Sequence, residues 1–434
     1  MKVSIVGSGY VGTTVAACLA DSGHEVVNID VDEDVVENLN DGLSSIHEPG
    51  LDKLIEKHGG DQLRGTTDYG AIRDTDVTFL ALPTPSTDDG SIDLSVLKAG
   101  ARSVGEALAE KDNYHLVVVK STVIPGTAED VLVPLLGDAS NSIERRDFSI
   151  ASNPEFLREG SAVTDFLDPD KIVFGTDGDE RALDRLHDVY HPIIEETDAA
   201  VVETGRREAE MIKYANNAFL AAKISLINDI GNICKEFGVD AYDVADAMGL
   251  DDRIGERFLR SGVGWGGSCL PKDVAALCAA ARTQDYEPAL LHAAVEINER
   301  QPENMLALLD DHADVSDKRI AVLGLAFKPG TDDVRNSRAI PIIEGLRKRG
   351  AVVVAYDPVA TENMRAQFPG IDYAKSATGA LENSHGALVV TGWDEFTALS
   401  HEFERMADPI VVDGRRVINP KVLPDGATYE GLTW

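Results

Sequence analysis

Lys2-Val3-Ser4-Ile5-Val6-Gly7-Ser8-Gly9-Tyr10-Val11-Gly12 is the stretch on which the fold turns. Its first five residues read as a buried strand, and three glycines follow at once. From Tyr10 to Leu19 apolar residues recur at helical spacing. Gly7 permits the tight turn, Gly9 lets backbone approach a pyrophosphate, and Gly12 lets helix and strand pack closely, with the helix N-terminus facing the phosphates. A second strand, Glu25-Val26-Val27-Asn28-Ile29, ends at Asp30, 18 residues after Gly12. An acid there binds a ribose diol and repels a 2′-phosphate, so the pattern predicts a dinucleotide fold taking NAD rather than NADP.

Outward from this unit the alternation of strand and helix continues. Residues 77–82 form a strand closed by Pro83-Thr84-Pro85, and 116–120 another, followed by Ser121-Thr122-Val123-Ile124-Pro125-Gly126. Residues 149–152 lead into Asn153-Pro154-Glu155-Phe156-Leu157-Arg158-Glu159-Gly160. Polar residues gather at the C-terminal strand ends, where open parallel sheets bind ligands. From about Glu203 to His312 the pattern is helical. One long helix, from Glu208 to about Gly238, puts Lys213 and Asn217 one turn apart on a shared face. Strands return at 318–324, 352–358, 388–390 and 410–413. The turn over 325–333 lacks the glycine fingerprint, so this last part is read as holding a different ligand, with Lys328 placed for a phosphate or sugar oxygen. The expected class is α/β: two Rossmann-like doubly wound domains, 1–202 and 313–434, joined by a central helical dimerisation domain, 203–312.

Composition narrows the function. With 40 Lys and Arg against 75 Asp and Glu, the formal net charge is −35 over 434 residues. Such a surface repels nucleic acid and anionic membranes, and suits a high-salt cytoplasm. An anionic substrate would then need cations built into its site. The four cysteines, Cys18, Cys234, Cys269 and Cys278, form no metal-binding spacing, so no metal is expected and reduced thiols in the cytoplasm are. No run is long and apolar enough to span a bilayer, and the N-terminus reads as a strand rather than a leader.

Gly264-Trp265-Gly266-Gly267-Ser268-Cys269-Leu270-Pro271-Lys272-Asp273 adds the chemistry. A cysteine in a glycine-rich loop, paired with a hydride-accepting cofactor, points to oxidation through a thiohemiacetal and a thioester, ending in a carboxylate. With 7–12, Pro83-Thr84-Pro85, Lys120-Ser121-Thr122, 153–160, Lys213 with Asn217, and Phe327-Lys328 through Arg335, the chain resembles the UDP-glucose/GDP-mannose dehydrogenase family over essentially its whole length.

The resemblance implies Cys269 as nucleophile, Lys213 and Asn217 as oxyanion stabilisers, Glu155 as the group assisting thioester hydrolysis, and Asp273 and Thr122 as residues positioning water. It implies cofactor contacts at Gly7, Gly9, Tyr10, Val11, Gly12, Asp30, Thr84, Thr122, Glu159, Lys272 and Arg335. Substrate contacts fall on Glu155, Phe156, Leu157, Arg158, Glu159, Lys213, Asn217, Phe258, Leu259, Arg260, Ser261, Gly262, Gly266 and Lys328. Arg253 matches an arginine that reaches a neighbouring subunit's substrate, and a homodimer through the helical domain is expected.

Two departures stand out. Val35 occupies a place where a basic residue often follows the ribose acid, and Trp265 replaces a Phe or Tyr. The 154–159 run argues against UDP-N-acetylmannosamine, and its continuation through Asp168-Pro169-Asp170-Lys171 favours UDP-glucose. GDP-mannose and UDP-N-acetylhexosamines are the enzymatic alternatives on the substrate side. A two-electron alcohol dehydrogenase is opposed by the cysteine loop. A non-catalytic nucleotide-sugar-sensing scaffold is opposed by the presence of Cys269, Lys213 and Asp273.

Overall fold

A computed structural model describes residues Met1–Trp434, which fall into two compact units, Met1–Asn216 and Asn217–Trp434.

The first unit is built on eight strands: β1 (Lys2–Val6), β2 (Glu25–Ile29), β3 (Leu63–Thr66), β4 (Val77–Leu80), β5 (His115–Val119), β6 (Phe148–Ser152), β7 (Lys171–Gly175) and β8 (Ala200–Thr204). Their order is β3-β2-β1-β4-β5-β6-β7-β8. The first six are parallel in the doubly wound arrangement, β7 meets β6 antiparallel, and β8 is parallel to β7. β4, β5 and β6 are buried along their whole length, as parallel strands covered on both faces must be. Two apolar clusters cover the faces, one around Val15, Leu19, Phe79 and Phe174, the other around Leu80, Val104, Leu132 and Ile150.

The long helix Arg206–Glu236 begins in the first unit and ends in the second. Helices Ala241–Gly249, Leu270–Thr283 and Ala289–Asp310 follow, so no strand interrupts the chain until β9 (Arg319–Leu323). β10 (Val352–Tyr356), β11 (Asp372–Tyr373), β12 (Gly386–Val389), β13 (Ile410–Asp413) and β14 (Thr428–Gly431) complete a parallel sheet ordered β11-β10-β9-β12-β13-β14. The two α/β sheets and the helical stretch are as the sequence led one to expect. No helix is long and apolar enough to cross a membrane.

The sequence reading assigned no strand at β3, β7, β8, β11 or β14. β3, β8, β11 and β14 are short or part-exposed and lack the continuous apolar run of a central parallel strand. β7 differs, being buried over Ile172–Gly175 with an Ile172-Val173-Phe174 run that is itself a strand signal.

Candidate active site

In the first unit the glycine loop fits a dinucleotide. Gly7 has φ +104°, and a side chain there would press on Ala81 O at 2.6 Å. One at Gly12 would collide with Gly7 O, whereas one at Gly9 would meet nothing within 4 Å. The loop is thus closed toward its own sheet and open where a pyrophosphate approaches. Asp30 stands half-buried at the end of β2, its Oδ2 accepting from Ser8 N at 2.5 Å and its Oδ1 from Asp32 N at 3.1 Å. Val11 packs against the sheet core. Thr84 Oγ1 donates to Thr122 O at 2.9 Å, tying together the segments after β4 and β5.

Tyr10 donates its hydroxyl to Glu48, which also accepts from Gly160 N and Ala162 N, both at 2.7 Å. This buried carboxylate joins the glycine loop to the end of the 153–160 run. It lies in an irregular segment before Pro49-Gly50 with no motif to advertise it.

Beyond the end of β6 lies a buried ion pair. Lys213 Nζ is 2.8 Å from Glu155 Oε1, with side chains 4% and 7% exposed. Glu155 Oε2 accepts from Leu157 N at 2.6 Å. Lys213 Nζ lies 5.6 Å and Lys171 Nζ 4.2 Å from the Phe156 ring centroid, so two cations share one aromatic surface. Behind the pair, Lys120 Nζ donates to Asn153 Oδ1 at 2.8 Å and Tyr190 OH at 3.1 Å. Burial pushes the Lys120 ammonium down to about 7, against the pull of Glu155. The sequence reading assigned no role to Lys120 beyond its place in a motif. Arg158, by contrast, turns to Asp165, which accepts from its backbone N at 2.8 Å and from its guanidinium. Glu159 is the residue before Gly160 in that run.

The second unit holds the cysteine. Cys269 is exposed and occupies the N-cap position of the Leu270–Thr283 helix. Ser268 Oγ lies 3.5 Å from its sulfur. Asp273 is 1% exposed, and Asn217 Nδ2 and Lys272 Nζ donate to its two oxygens, each at 2.6 Å. Its own N donates to Cys269 O at 2.9 Å. Asn217, Lys272 and Asp273 therefore form one network at the base of the cysteine turn. The preceding loop is held rigidly. Gly267 N donates to Arg335 O at 3.0 Å, and Asn336 Nδ2 donates to Gly267 O at 3.0 Å. Gly266 packs on the Asn336 backbone. Trp265 is buried, with its N donating to Asn298 Oδ1 at 2.7 Å and its indole N–H to Ser225 Oγ at 2.9 Å. A Phe could not make the latter bond, so the aromatic exchange comes with a partner on the long helix.

The Arg335 guanidinium forks onto Asp333, and Lys328 Nζ lies 5.7 Å from the Phe327 ring centroid. Leu259 and Ser261 are buried, and Gly262 N donates to Asn228 Oδ1 at 2.8 Å. Phe258 has φ +64°, a strained conformation for a bulky residue in a segment expected to touch substrate. Arg260 pairs with Asp246 at 2.5 Å, and Arg253, whose side chain is 88% exposed, pairs with Asp251 at 2.6 Å.

Three family models match the chain: the UDP-glucose/GDP-mannose dehydrogenase family NAD binding domain at residues 1–194, its central domain at 207–300, and its UDP binding domain at 321–420. The chain is 60% identical to the UDP-glucose 6-dehydrogenase AglM of Haloferax volcanii over 433 residues, covering 100% of both. It is 40% identical to the UDP-glucose 6-dehydrogenase TuaD of Bacillus subtilis over 426 residues, covering 96% of this chain and 90% of that one. A solved structure of a UDP-glucose dehydrogenase from Pyrobaculum islandicum superposes with a TM-score of 0.93 at 40% identity, covering 100% of this chain and 98% of that one.

Proposed function

Because the chain belongs to the UDP-glucose/GDP-mannose dehydrogenase family and is an NAD-dependent dehydrogenase, we propose that it oxidises the C6 hydroxyl of UDP-glucose to the carboxylate of UDP-glucuronate. The observation that carries the reading is Cys269, an exposed thiol at a helix N-terminus beside a buried aspartate held by an amide and a lysine. Two successive NAD molecules, each bound in turn, would supply the hydride acceptor for one two-electron step apiece.

The chain's own residues do the rest. Gly7, Gly9, Gly12, Tyr10 and Val11 form the pyrophosphate turn, Asp30 takes the ribose diol, and Thr84, Glu159, Lys272 and Arg335 complete the cofactor contacts. Once the C6 alcohol has lost a hydride and its hydroxyl proton, Cys269 Sγ bonds to the aldehyde carbon as the thiol proton passes to the aldehyde oxygen, and loss of a second hydride and of that proton turns the thiohemiacetal into a thioester. Lys213 and Asn217 donate to the oxyanion that develops at C6. Glu155 assists the water that cleaves the thioester, and Thr122 and Asp273 position it. The remaining carboxylate product leaves with the thiol restored. Lys328 and the 258–262 segment bind the nucleotide sugar, and Arg253 reaches a neighbouring subunit.

A homodimer completes this reading. Phe219, Leu226 and Ile233 are 70%, 60% and 52% exposed along one side of the long helix, at spacings that return to the same face, and Phe237, 79% exposed, follows its last residue. A second copy of that stripe is their natural cover. The division 1–202, 203–312 and 313–434 assigns cofactor, dimer and sugar-nucleotide roles in turn. A cytoplasmic setting is supported by the buried, unbridged thiols of Cys18, Cys234 and Cys278.

The test is a panel of UDP-glucose, GDP-mannose and UDP-N-acetylmannosamine with NAD in molar KCl. UDP-glucose should give the highest kcat/KM, by about tenfold or more. A preference for either other sugar would reassign the substrate, and no oxidation of any would overturn the reading.

A further inference from the structure

We propose that Glu210, a residue with no role in the scheme above, is a positioning residue for this reaction: its buried carboxylate pins the three segments that carry Thr122, Glu155 and Lys213. The inference rests on the proposed function and adds a determinant of its rate.

Glu210 lies on the long helix three residues before Lys213 and is 4% exposed. Its Oε2 accepts from Gly126 N at 2.6 Å, and its Oε1 accepts from Ala128 N at 3.0 Å and Ser152 Oγ at 3.2 Å. Gly126 ends the loop that begins Ser121-Thr122, and Ala128 lies in the π-helical turn Thr127–Leu132 that follows. Ser152 is the last residue of β6, three before Glu155. One carboxylate thus ties the Thr122 loop, the strand leading to Glu155 and the helix bearing Lys213. Thr122, Ser152, Pro154, Glu210 and Lys213 line one small cavity.

An ionised carboxylate suits this place in a way other side chains do not. Two backbone N–H groups approach its two different oxygens, so each oxygen must accept, and an amide would turn an N–H donor toward one of them. The cost is desolvation, which pushes the acid up to about 7, opposed by the bonds from Ala128, Gly126 and Ser152 and by Arg206. The charged groups around it are few. Lys213, paired with Glu155, faces the cavity, and Lys120 lies behind that pair. Arg206, one turn earlier, is held by Glu144 and Asp177, and Arg207 by Glu129 and Asp130 of the π-helical turn. Proton uptake turns one acceptor oxygen into a donor facing an N–H, which loosens the Thr122 loop. As pH falls through about 7, kcat should therefore decline along an acidic limb set by Glu210.

The experiment compares the full-length unmutated protein with Glu210→Gln and Glu210→Asp. Initial rates with NAD and UDP-glucose run from about pH 5.5 to about 9, beside NAD titrations and amide exchange of residues 121–128 without substrate. In Glu210→Gln, kcat should fall about tenfold to a hundredfold, the acidic limb should vanish, and exchange in 121–128 should quicken. Glu210→Asp keeps the charge at a shorter reach, so it should lower kcat yet retain the limb. An unchanged kcat, an acidic limb that survives in Glu210→Gln, or unaltered exchange would overturn the inference. Should the Gln variant fail to fold, the Asp variant decides: full activity in it overturns the role. If the unmutated protein leaves UDP-glucose unoxidised, the proposed substrate falls, while the exchange measurement still judges Glu210.

Discussion

The six-stranded sheet repeats the order of the first six strands of the eight-stranded one, and the two part at the turn after the first strand. In both, a glycine of positive φ follows, Gly7 at +104° and Gly324 at +91°, and its N donates 2.8 Å to the carbonyl ending the second strand, Ile29 O or Tyr356 O. Both second strands lead directly to an aspartate. Asp30 accepts one loop amide, Ser8 N, and stays half-buried beside an open Gly9. Asp357 is 2% exposed, and its carboxylate accepts from Leu325 N at 2.7 Å, Ala326 N at 3.0 Å and the Trp393 indole at 2.9 Å, with Val359 N and Ala360 N on its other oxygen. Leu325 and Ala326, standing where the first sheet has Ser8 and Gly9, are fully buried. The same topology therefore leaves the acid half-buried beside an open glycine in one sheet and uses it to hold the turn shut in the other. Fold alone does not assign a ligand; the residues of the turn do.

The sharpest separation of chemistry from binding is Cys269→Ser. An alcohol there is a poorer nucleophile and its ester a poorer acyl donor than the thioester. Steady turnover should fall by about 10³-fold or more while NAD affinity is kept. Rates and NAD titration check this, and near-normal turnover would remove the cysteine from the mechanism.

Next comes the aspartate pair itself. Asp357→Ala strands several buried donors and should cost about 3–5 kcal/mol of stability, read by denaturant unfolding, with the choice between NAD and NADP unchanged. Asp30→Ala should do the reverse, leaving stability nearly intact, weakening NAD by about 10–100-fold and relaxing discrimination against NADP. An altered cofactor choice in Asp357→Ala, or none in Asp30→Ala, breaks the comparison.

The fifth strand of the doubly wound order in each sheet offers a further contrast. β5 is followed by buried Lys120 and β13 ends in buried Asp413, groups of opposite charge. Burial lowers Lys120 from 10.5 to about 7, so between those values the unfolded chain binds more protons and stability contributed by this group rises with pH. Burial raises Asp413, so its contribution is full at low pH and is lost as pH rises through its folded value. Lys120→Met should flatten the alkaline rise in unfolding free energy measured from about pH 7 to about 10. An unchanged slope would place the proton uptake elsewhere.

The smallest expected effect is spread over the surface. At a net charge of −35, self-repulsion should ease as the Debye length shortens from about 10 Å at 0.1 M salt to about 3 Å at 1 M. Stability and activity should rise over that range, while the buried Lys213–Glu155 pair is little screened. Greatest stability in dilute buffer would make the acidity incidental.

Much of this was legible in the sequence. The first βαβ unit was readable because each glycine answers a separate demand of the turn, and Lys2–Val6 and Glu25–Ile29 are the strands expected. The central helices followed from periodicity alone. What stayed hidden was the set of buried carboxylates that bind segments distant in sequence. Glu48 meets Gly160 and Ala162 across more than a hundred residues, and Glu210 meets Gly126 and Ser152. Nothing local marks such a residue, since its partners are backbone amides with no sequence signature. Asp357 carried no assigned role in the sequence, and its crowded hydrogen bonding is seen only in the structure. Likewise Arg158, expected as a substrate contact, and Arg253, expected to reach a neighbouring subunit's substrate, are engaged by Asp165 and Asp251 here, while Lys171, quoted in a motif but given no role, joins Lys213 over Phe156.

The central claim is that one cysteine carries a sugar through two oxidations. The measurement closest to it is the ratio of NADH formed to UDP-glucose consumed, taken to completion with product identified by mass. Two NADH per UDP-glucuronate, with no aldehyde released, is the result expected of thioester chemistry at Cys269. One NADH per sugar with free aldehyde accumulating would contradict it.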